Sequence, residues 1–388
     1  VVPTKKIRVL ECIRQGQVGG GESHLLSLVE NLDRERFDPV VLSFTDGPMI
    51  QRLQQMGIET HIIFTEKPFD IFKWKKIRRL IGNSGIDLIH AHGTRAASNI
   101  IWAGRSMKIP VIYTVHGWSF HAGQSPLVRF LRVTGEKYLT SKTDLNISVS
   151  SSNQQSGKKY IPSFESIVVT NGIDQKKFSL QKSFQNIRKE INVDENELLI
   201  LFIARFTEHK QPLILIKAFH ELLKVVHGIR LLMVGDGDQK EKAILMAKEL
   251  GLMDSIVFWP FRADVPDVLA AADIYVLPSL WEGLPIGLLE AMAMGKAVIA
   301  TNVDGTKEII RDHENGILTE AGDISGLVAA MIELCKNESL RKKLEMNAPK
   351  IVDEQFNAVS MTRKIEDIYI NLFKKKLSAK QELWNSKE

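Results

Sequence analysis

Residues 274–290 read Ile274-Tyr-Val-Leu-Pro-Ser-Leu-Trp-Glu-Gly-Leu-Pro-Ile-Gly-Leu-Leu-Glu290. The first four residues are apolar and partly β-branched, the signature of a short buried strand. Residues 279–283 read as a turn. Residues 284–294 continue as a helix with Pro285 in its first turn, where the missing N–H removes no hydrogen bond. The helix N-terminus offers unpaired N–H groups and a positive dipole end, which suit a phosphate. Glu282 and Glu290 stand eight positions apart, one on the loop and one on the helix. A ligand with a central diphosphate and a hydroxyl-rich ring at each end fits this layout, and a nucleotide sugar is such a ligand. Taken alone, the two carboxylates also read as ordinary solvated groups of a turn and a helix surface.

The same strand–turn–helix alternation extends in both directions. Strands are expected at 7–13, 39–44, 60–64, 87–92, 111–116, 145–149 and 166–170. They are expected again at 198–204, 229–234, 256–259, 274–277 and 297–301. Amphipathic stretches of helical length lie between them, at 22–32, 96–107, 211–226 and 239–250. This pattern predicts parallel, helix-covered sheets. Two such series in one chain predict two doubly wound domains with a cleft between them. Residues 175–197 are polar, lack a strand signal and read as the linker. A last amphipathic stretch at 358–372 has no strand after it, and the polar tail from residue 374 is expected to fray.

Size agrees, since 388 residues exceed what a single core usually holds, about 250–300 residues. Apolar content of 44% with 25% charged residues is that of an ordinary globular protein. Cys12 and Cys335 form neither a metal spacing nor a disulfide framework, so a cytoplasmic location is expected. Charges at Lys5, Lys6, Arg8 and Glu11 argue against a signal peptide. No apolar window is long enough to span a membrane. Residues 1–175 hold 22 Lys/Arg against 15 Asp/Glu, while the remainder holds 29 against 31. The basic half suggests an anionic partner, such as an anionic membrane surface or a phosphate-bearing acceptor. Nucleic acid is not expected, because no recognition motif accompanies the small excess.

Several residue groups carry chemistry. Arg205 and Lys210 lie past the first strand of the second series, where open α/β sheets bind ligands. An arginine fork and a lysine point charge there suit a diphosphate, although a solvated loop pair reads the same way. Gly19-Gly20-Gly21-Glu22 follows the first strand and opens a helix. Glycines there admit a ligand close to the backbone or simply make a turn. Asp236-Gly237-Asp238 has the look of a metal-binding DxD, but a tight turn with Asp238 capping the next helix is the favoured reading. His90 and His92 share one side of a strand, yet no nearby cysteine or carboxylate completes a set, so a metal is not expected there. His116 ends a strand and is placed for substrate contact. Residues 69–80 mix aromatics with five cations and read as either an interfacial helix or a surface helix with snorkelling lysines.

In their order along the chain, these features resemble the retaining glycosyltransferases of family four, of the bacterial envelope and exopolysaccharide type. The resemblance rests on Gly19 and Gly20, Thr114-Val-His-Gly117, Asn171-Gly-Ile-Asp174, Arg205 with Lys210, Gly235-Asp-Gly237, and Glu282 with Glu290 running into Leu289-Glu-Ala-Met-Ala-Met-Gly295. It implies an α/β GT-B fold of two Rossmann-like, doubly wound domains facing across a cleft. Residues 1–174 would bind the acceptor and 175–357 the nucleotide sugar. Residues 358–388 would form a helix returning to the N-terminal lobe, plus the tail. Arg205 and Lys210 would hold the donor diphosphate as leaving group, and Glu290 the ribose hydroxyls. Glu282, with the backbone of Gly283 and Leu284, would hold the donor sugar. His116 would approach that sugar, and Gly20 would let its loop close over the phosphates. The base-contacting loop reads Phe258-Trp-Pro-Phe261 where the family often has a glycine, and Asp304-Gly-Thr-Lys-Glu308 departs from the usual glycine pair.

The activity implied is transfer from a nucleotide-diphosphate sugar, expected to be a UDP-sugar, to a hydroxyl of a saccharide or lipid-linked acceptor. No metal and no cofactor are expected. The rival readings are a nucleotide-sugar epimerase of the same fold and a non-catalytic protein that binds sugar nucleotides or membranes.

Overall fold

The computed structural model describes residues 5–17, 19–121 and 123–385. The chain divides into two compact units, one of Val1–Gly172 with Ala358–Glu388 and one of Ile173–Asn357. The division falls two residues before the expected boundary, after Gly172, so Ile173 and Asp174 belong with the second unit.

The first unit is a parallel sheet of β1 (Ile7–Ile13), β2 (Phe37–Ser43), β3 (Glu59–Ile62), β4 (Leu88–His92), β5 (Val111–Val115), β6 (Leu145–Ser148) and β7 (Ile167–Val168). Their order is β3-β2-β1-β4-β5-β6-β7. The order reverses between β1 and β4, and a crevice opens at the strand ends of such a reversal. The inner strands β4 and β5 are buried at every residue, and β1 and β2 at all but Arg8 and Asp38, which explains their largely apolar runs. Glu11 of β1 and His90 and His92 of β4 are exceptions, and all three are buried.

The second unit repeats the plan with β8 (Leu198–Ile203), β9 (Ile229–Val234), β10 (Ile256–Trp259), β11 (Ile274–Leu277), β12 (Ala297–Thr301) and β13 (Ile317–Thr319). The order β10-β9-β8-β11-β12-β13 reverses between β8 and β11. The loops that follow these two strands carry Arg205 with Lys210 and Glu282. The short strand β13 was not expected, because three residues after an Asn-Gly turn give no periodic signal.

The final helix, Ala358–Asn385, belongs to the first unit. Met361, Ile365, Ile368 and Tyr369 join Ile7, Val9, Leu28 and Phe37 in one buried cluster. The tail expected to fray from residue 374 instead continues this helix to Asn385. Its Lys and Gln residues are good helix formers, so polarity misled where propensity did not. The linker expected at 175–197 contains a helical turn, Ile187–Glu190, capped by Asn186. The aromatic and cationic stretch at 69–80 is not one helix. Phe69 takes a positive φ of 55°. A 3-10 turn follows at Ile71–Lys73, and a helix runs from Trp74 to Asn83, burying Ile77 and Ile81. Among the described residues no helix is long and apolar enough to cross a membrane.

Candidate active site

The strand ends of β8 and β11 bring the expected donor residues of the second unit together. Lys210 closes the 3-10 turn Glu208–Lys210, and its ammonium pairs with the carboxylate of Glu282. Ser279 donates to the same carboxylate oxygen at 2.6 Å. The two loops are tied by the backbone, Leu280 N–H to the His209 carbonyl at 2.8 Å, and by stacking of His209 on Trp281 at 5.3 Å. Ser279 and Trp281 were not picked out from sequence; Trp281 meets His209 only when β8 and β11 become neighbours, while Ser279 bonds Glu282 within its own loop.

Arg205 sits half-buried just past β8, and its guanidinium forms no ion pair among the described residues. Its loop is held from below by Gly235-Asp-Gly237. Phe206 N–H donates to the Asp236 carbonyl at 3.0 Å, and Gln239 N–H to the Phe206 carbonyl at 2.9 Å. Gly235 and Gly237 have φ of 140° and 154°. A β-carbon on either would collide with the backbone of Ala204 or Phe206. These glycines are therefore required by close approach.

Asp236 accepts from Lys240 Nζ at 2.8 Å and from Phe261 N–H at 2.8 Å. Burial opposes its charge, yet those bonds outweigh it and hold the carboxyl below its ordinary range. It thus anchors the loop carrying Phe261. The capping role expected of Asp238 is not found. Gln239 occupies the N-cap position of the Lys240–Glu249 helix, and no side chain caps it.

The helix bearing Glu290 is Ile286–Ala293, two residues shorter at its start than expected. Pro285 is the N-cap residue and lies outside the first turn. Glu290 is half-buried, and burial pushes its carboxyl up to about 7, with Lys177 pulling the other way. Tyr275, buried beneath, donates to the Ile203 carbonyl at 3.3 Å and so links β11 to the end of β8. The loop with the unusual Asp304-Gly-Thr-Lys-Glu308 has a clear place. Gly305 packs its backbone on that of Gly283, with its N–H 3.4 Å from the Glu282 carbonyl. The loop after β12 therefore backs the Glu282-Gly283-Leu284 turn.

In the first unit, Gly19 is the N-cap of the Gly20–Asn31 helix. A β-carbon at Gly20 would meet nothing within 4 Å, so the fold itself leaves that space open. One built at Gly21 would touch the His116 ring at 3.5 Å. His116 is no lone histidine. Its Nε2 lies 3.1 Å from His92 Nδ1, and His92 Nε2 lies 2.9 Å from Glu11 Oε2. His24 packs edge-on against His116 at 4.8 Å, and its Nδ1 bonds Asn171 Oδ1 at 2.9 Å. The expectation that no carboxylate accompanies His90 and His92 is corrected here. Glu11 faces His90 in the parallel register of β1 on β4. His24, His92 and His116, and Glu11, His90 and His92, each converge within 4.8 Å. Most of these atoms are already joined by hydrogen bonds to one another. Burial pushes His92 down to about 4 and His24 to about 3, and it lowers His116 well below its usual range. All three rings are neutral near pH 7. The signal that could have revealed Glu11 was a single acid inside an apolar strand, Ile7-Arg-Val-Leu-Glu-Cys-Ile13.

Comparison with known proteins agrees with this construction. The model described as "Glycosyltransferase Family 4" matches residues 18–177, and that described as "Glycosyl transferases group 1" matches 183–351. An Escherichia coli protein named UDP-Gal:alpha-D-GlcNAc-diphosphoundecaprenol alpha-1,3-galactosyltransferase is 24% identical over 95% of this chain and 97% of its own. The N-acetyl-alpha-D-glucosaminyl L-malate synthase of Bacillus anthracis is 26% identical over 82% of this chain and 84% of its own. The crystal structure of Anabaena HepE with UDP and glucose superposes with a TM-score of 0.83 at 23% identity, covering 94% of this chain and 100% of that one. This chain belongs to glycosyltransferase family four and has the GT-B fold.

Proposed function

We propose that the chain transfers a sugar from a UDP-sugar to a hydroxyl of a lipid-linked saccharide in cell-envelope polysaccharide synthesis. Transfer proceeds with retention and without a metal ion. The observation that carries the reading is the meeting of Lys210, Ser279 and Glu282 at the reversal between β8 and β11. The choice of UDP rests on HepE and on the galactosyltransferase relative. That relative also motivates the lipid-linked acceptor.

The donor C1–O bond breaks toward an oxocarbenium-like state. Negative charge grows on the departing diphosphate, where Arg205 and Lys210 stabilise it. The acceptor hydroxyl attacks from the leaving-group face, and its proton passes to a departing phosphate oxygen. Glu282, with the backbone of Gly283 and Leu284, orients the sugar, and Glu290 takes the ribose hydroxyls. Phe261 lines the base, His116 accepts from a sugar hydroxyl, and Gly19 and Gly20 leave room for the phosphates. Metal independence is supported by Asp236, whose carboxylate already accepts from Lys240 and Phe261 N–H.

Peripheral contact with an anionic membrane is supported by an additional surface of the first unit. On the Pro126–Lys142 helix, Leu127, Phe130 and Leu131 are 69%, 66% and 60% exposed, interleaved with Arg129 and Arg132. Such alternation suits the boundary between headgroups and acyl chains.

The test is incubation with UDP-galactose, UDP-glucose or UDP-N-acetylglucosamine, a diphosphoundecaprenol-linked sugar and EDTA. We expect acceptor-dependent UDP release and an α-linked product by NMR. Donor turnover that needs no acceptor would point to epimerisation. Activity lost in EDTA and restored by manganese would refute metal independence.

A further inference from the structure

We infer that Glu11, acting through His92, fixes the tautomer of His116 so that His116 presents an unprotonated Nδ1 to its ligand. Glu11 is fully buried in β1. Burial opposes its charge, but His90 and His92 more than offset this and keep it ionised. An ionised carboxylate only accepts hydrogen bonds. The 2.9 Å contact with His92 Nε2 is therefore an N–H donated by His92. His92 is neutral, so its Nδ1 is bare. The 3.1 Å contact between His92 Nδ1 and His116 Nε2 must then be donated by His116. A neutral His116 with its proton on Nε2 has a lone pair on Nδ1. No hydrogen bond to that Nδ1 is formed among the described residues.

The far end of the chain of bonds is pinned as well. Tyr369, on the final helix, donates to Glu11 Oε1 at 2.7 Å. Its oxygen accepts in turn from His90 Nδ1 at 2.6 Å, and His90 Nε2 lies 2.7 Å from the Thr114 hydroxyl. With His92 neutral, every proton in the series Tyr369–Glu11–His92–His116 thus has one place that leaves no donor facing a donor. Reversing His116 would require a donor at the position of Glu11 Oε2 or a second proton on His92, which burial disfavours. Glu11 and His92 are positioning residues in this scheme, and His116 alone meets the ligand. The consequence for turnover rests on the reading of His116 given above, whereas the tautomer does not.

The experiment is ¹⁵N NMR of the full chain labelled in histidine, comparing wild type with Glu11→Gln and Tyr369→Phe. Wild type should show His116 protonated at Nε2. A glutamine amide can keep its oxygen toward Tyr369 and turn its NH₂ toward His92 Nε2. Each proton along His92 and His116 then shifts, and Glu11→Gln should show His116 protonated at Nδ1. Tyr369→Phe leaves the Glu11–His92 bond in place and should keep the wild-type tautomer. UDP binding should persist in both variants. Donor kcat should fall about tenfold in Glu11→Gln, the loss of one hydrogen bond to the sugar. Wild-type His116 protonated at Nδ1 overturns the inference, and needs no variant to fold. So does an unchanged tautomer in folded Glu11→Gln. A shifted tautomer with unchanged turnover upholds the positioning and refutes the chemical role of His116.

Discussion

Gly305 rests directly on Gly283. A β-carbon at Gly305 would fall within the carbonyl group of Gly283, which is backbone and has no rotamer to yield. Gly305→Ala should therefore displace the Glu282–Leu284 turn. Overpacking of this kind typically costs about 1–3 kcal/mol. Thermal melting should register that loss, and donor KM should rise with it. An unchanged melting temperature would mean that the two loops are not in contact.

Gly20 makes the opposite case. Nothing lies within 4 Å of where its β-carbon would stand. Gly20→Ala should leave stability unchanged or raise it by about 0.4–1 kcal/mol through the unfolded chain. If the space admits donor phosphates, turnover should fall nonetheless. Stability and activity would then move in opposite directions in one variant, measured by melting beside donor kinetics.

Arg205→Ala and Lys210→Ala should each lower kcat by ~10²–10³, the usual effect of removing one preorganised charge donor. They should differ in stability. Arg205 has no ion pair to lose among the described residues. Lys210 leaves Glu282, only 9% exposed at its side chain, with Ser279 as partner. Lys210→Ala should therefore destabilise more than Arg205→Ala. Equal melting curves would discount the Lys210–Glu282 pair.

Glu290 gives a pH dependence with a definite sign. Its carboxyl is raised from the ordinary 4.5 to about 7 in the folded chain. The folded state thus holds a proton that the unfolded state releases. The resulting stability is complete below about pH 4.5 and is lost as pH climbs through 7. Glu290→Gln does not titrate and should be more stable than wild type at pH 8, by about 1–3 kcal/mol, with no such advantage near pH 4.5. The same variant should bind UDP about tenfold more weakly, the loss of one hydrogen bond to a charged group. Glu282→Gln should bind UDP normally and lose kcat. Calorimetric titration of both variants decides whether the two glutamates serve the ends of the donor assigned to them.

The exposed apolar face of the Pro126–Lys142 helix should govern vesicle binding. Phe130→Glu with Leu131→Glu should abolish sedimentation with anionic vesicles without altering the melting temperature, since neither side chain is in the core. Salt should weaken wild-type binding, because each basic residue near the surface contributes about 1 kcal/mol. Equal binding to neutral vesicles would remove the electrostatic part.

Much of the second unit was legible because its chemistry is local. Strand, turn and helix around Glu282 and Glu290 occupy one continuous stretch, and periodicity places them. Arg205 and Lys210 were legible because a ligand loop after a strand is a rule of parallel sheets. Their contact with Glu282 was not, since it depends on β8 and β11 being adjacent, a property of strand order alone. Glu11 was overlooked for the same reason. It lies far from His90 in sequence, and only the parallel register sets them face to face. Asp238 misled in the other direction. A local rule assigned it a cap, but the tight packing of Gly237 on Phe206 turned the chain before that cap could form.

The bond between Tyr369 and Glu11 joins residues 358 positions apart. A ribosome delivers Glu11 long before Tyr369. Until then β1 carries a buried acid without its phenol, and Ile7, Val9 and Phe37 lack the helix that covers them. The second unit, Ile173–Asn357, is continuous and holds all its strands before that helix emerges. The first unit is therefore begun before the second and completed after it. Until that helix emerges it exposes apolar surface of the kind that chaperones bind.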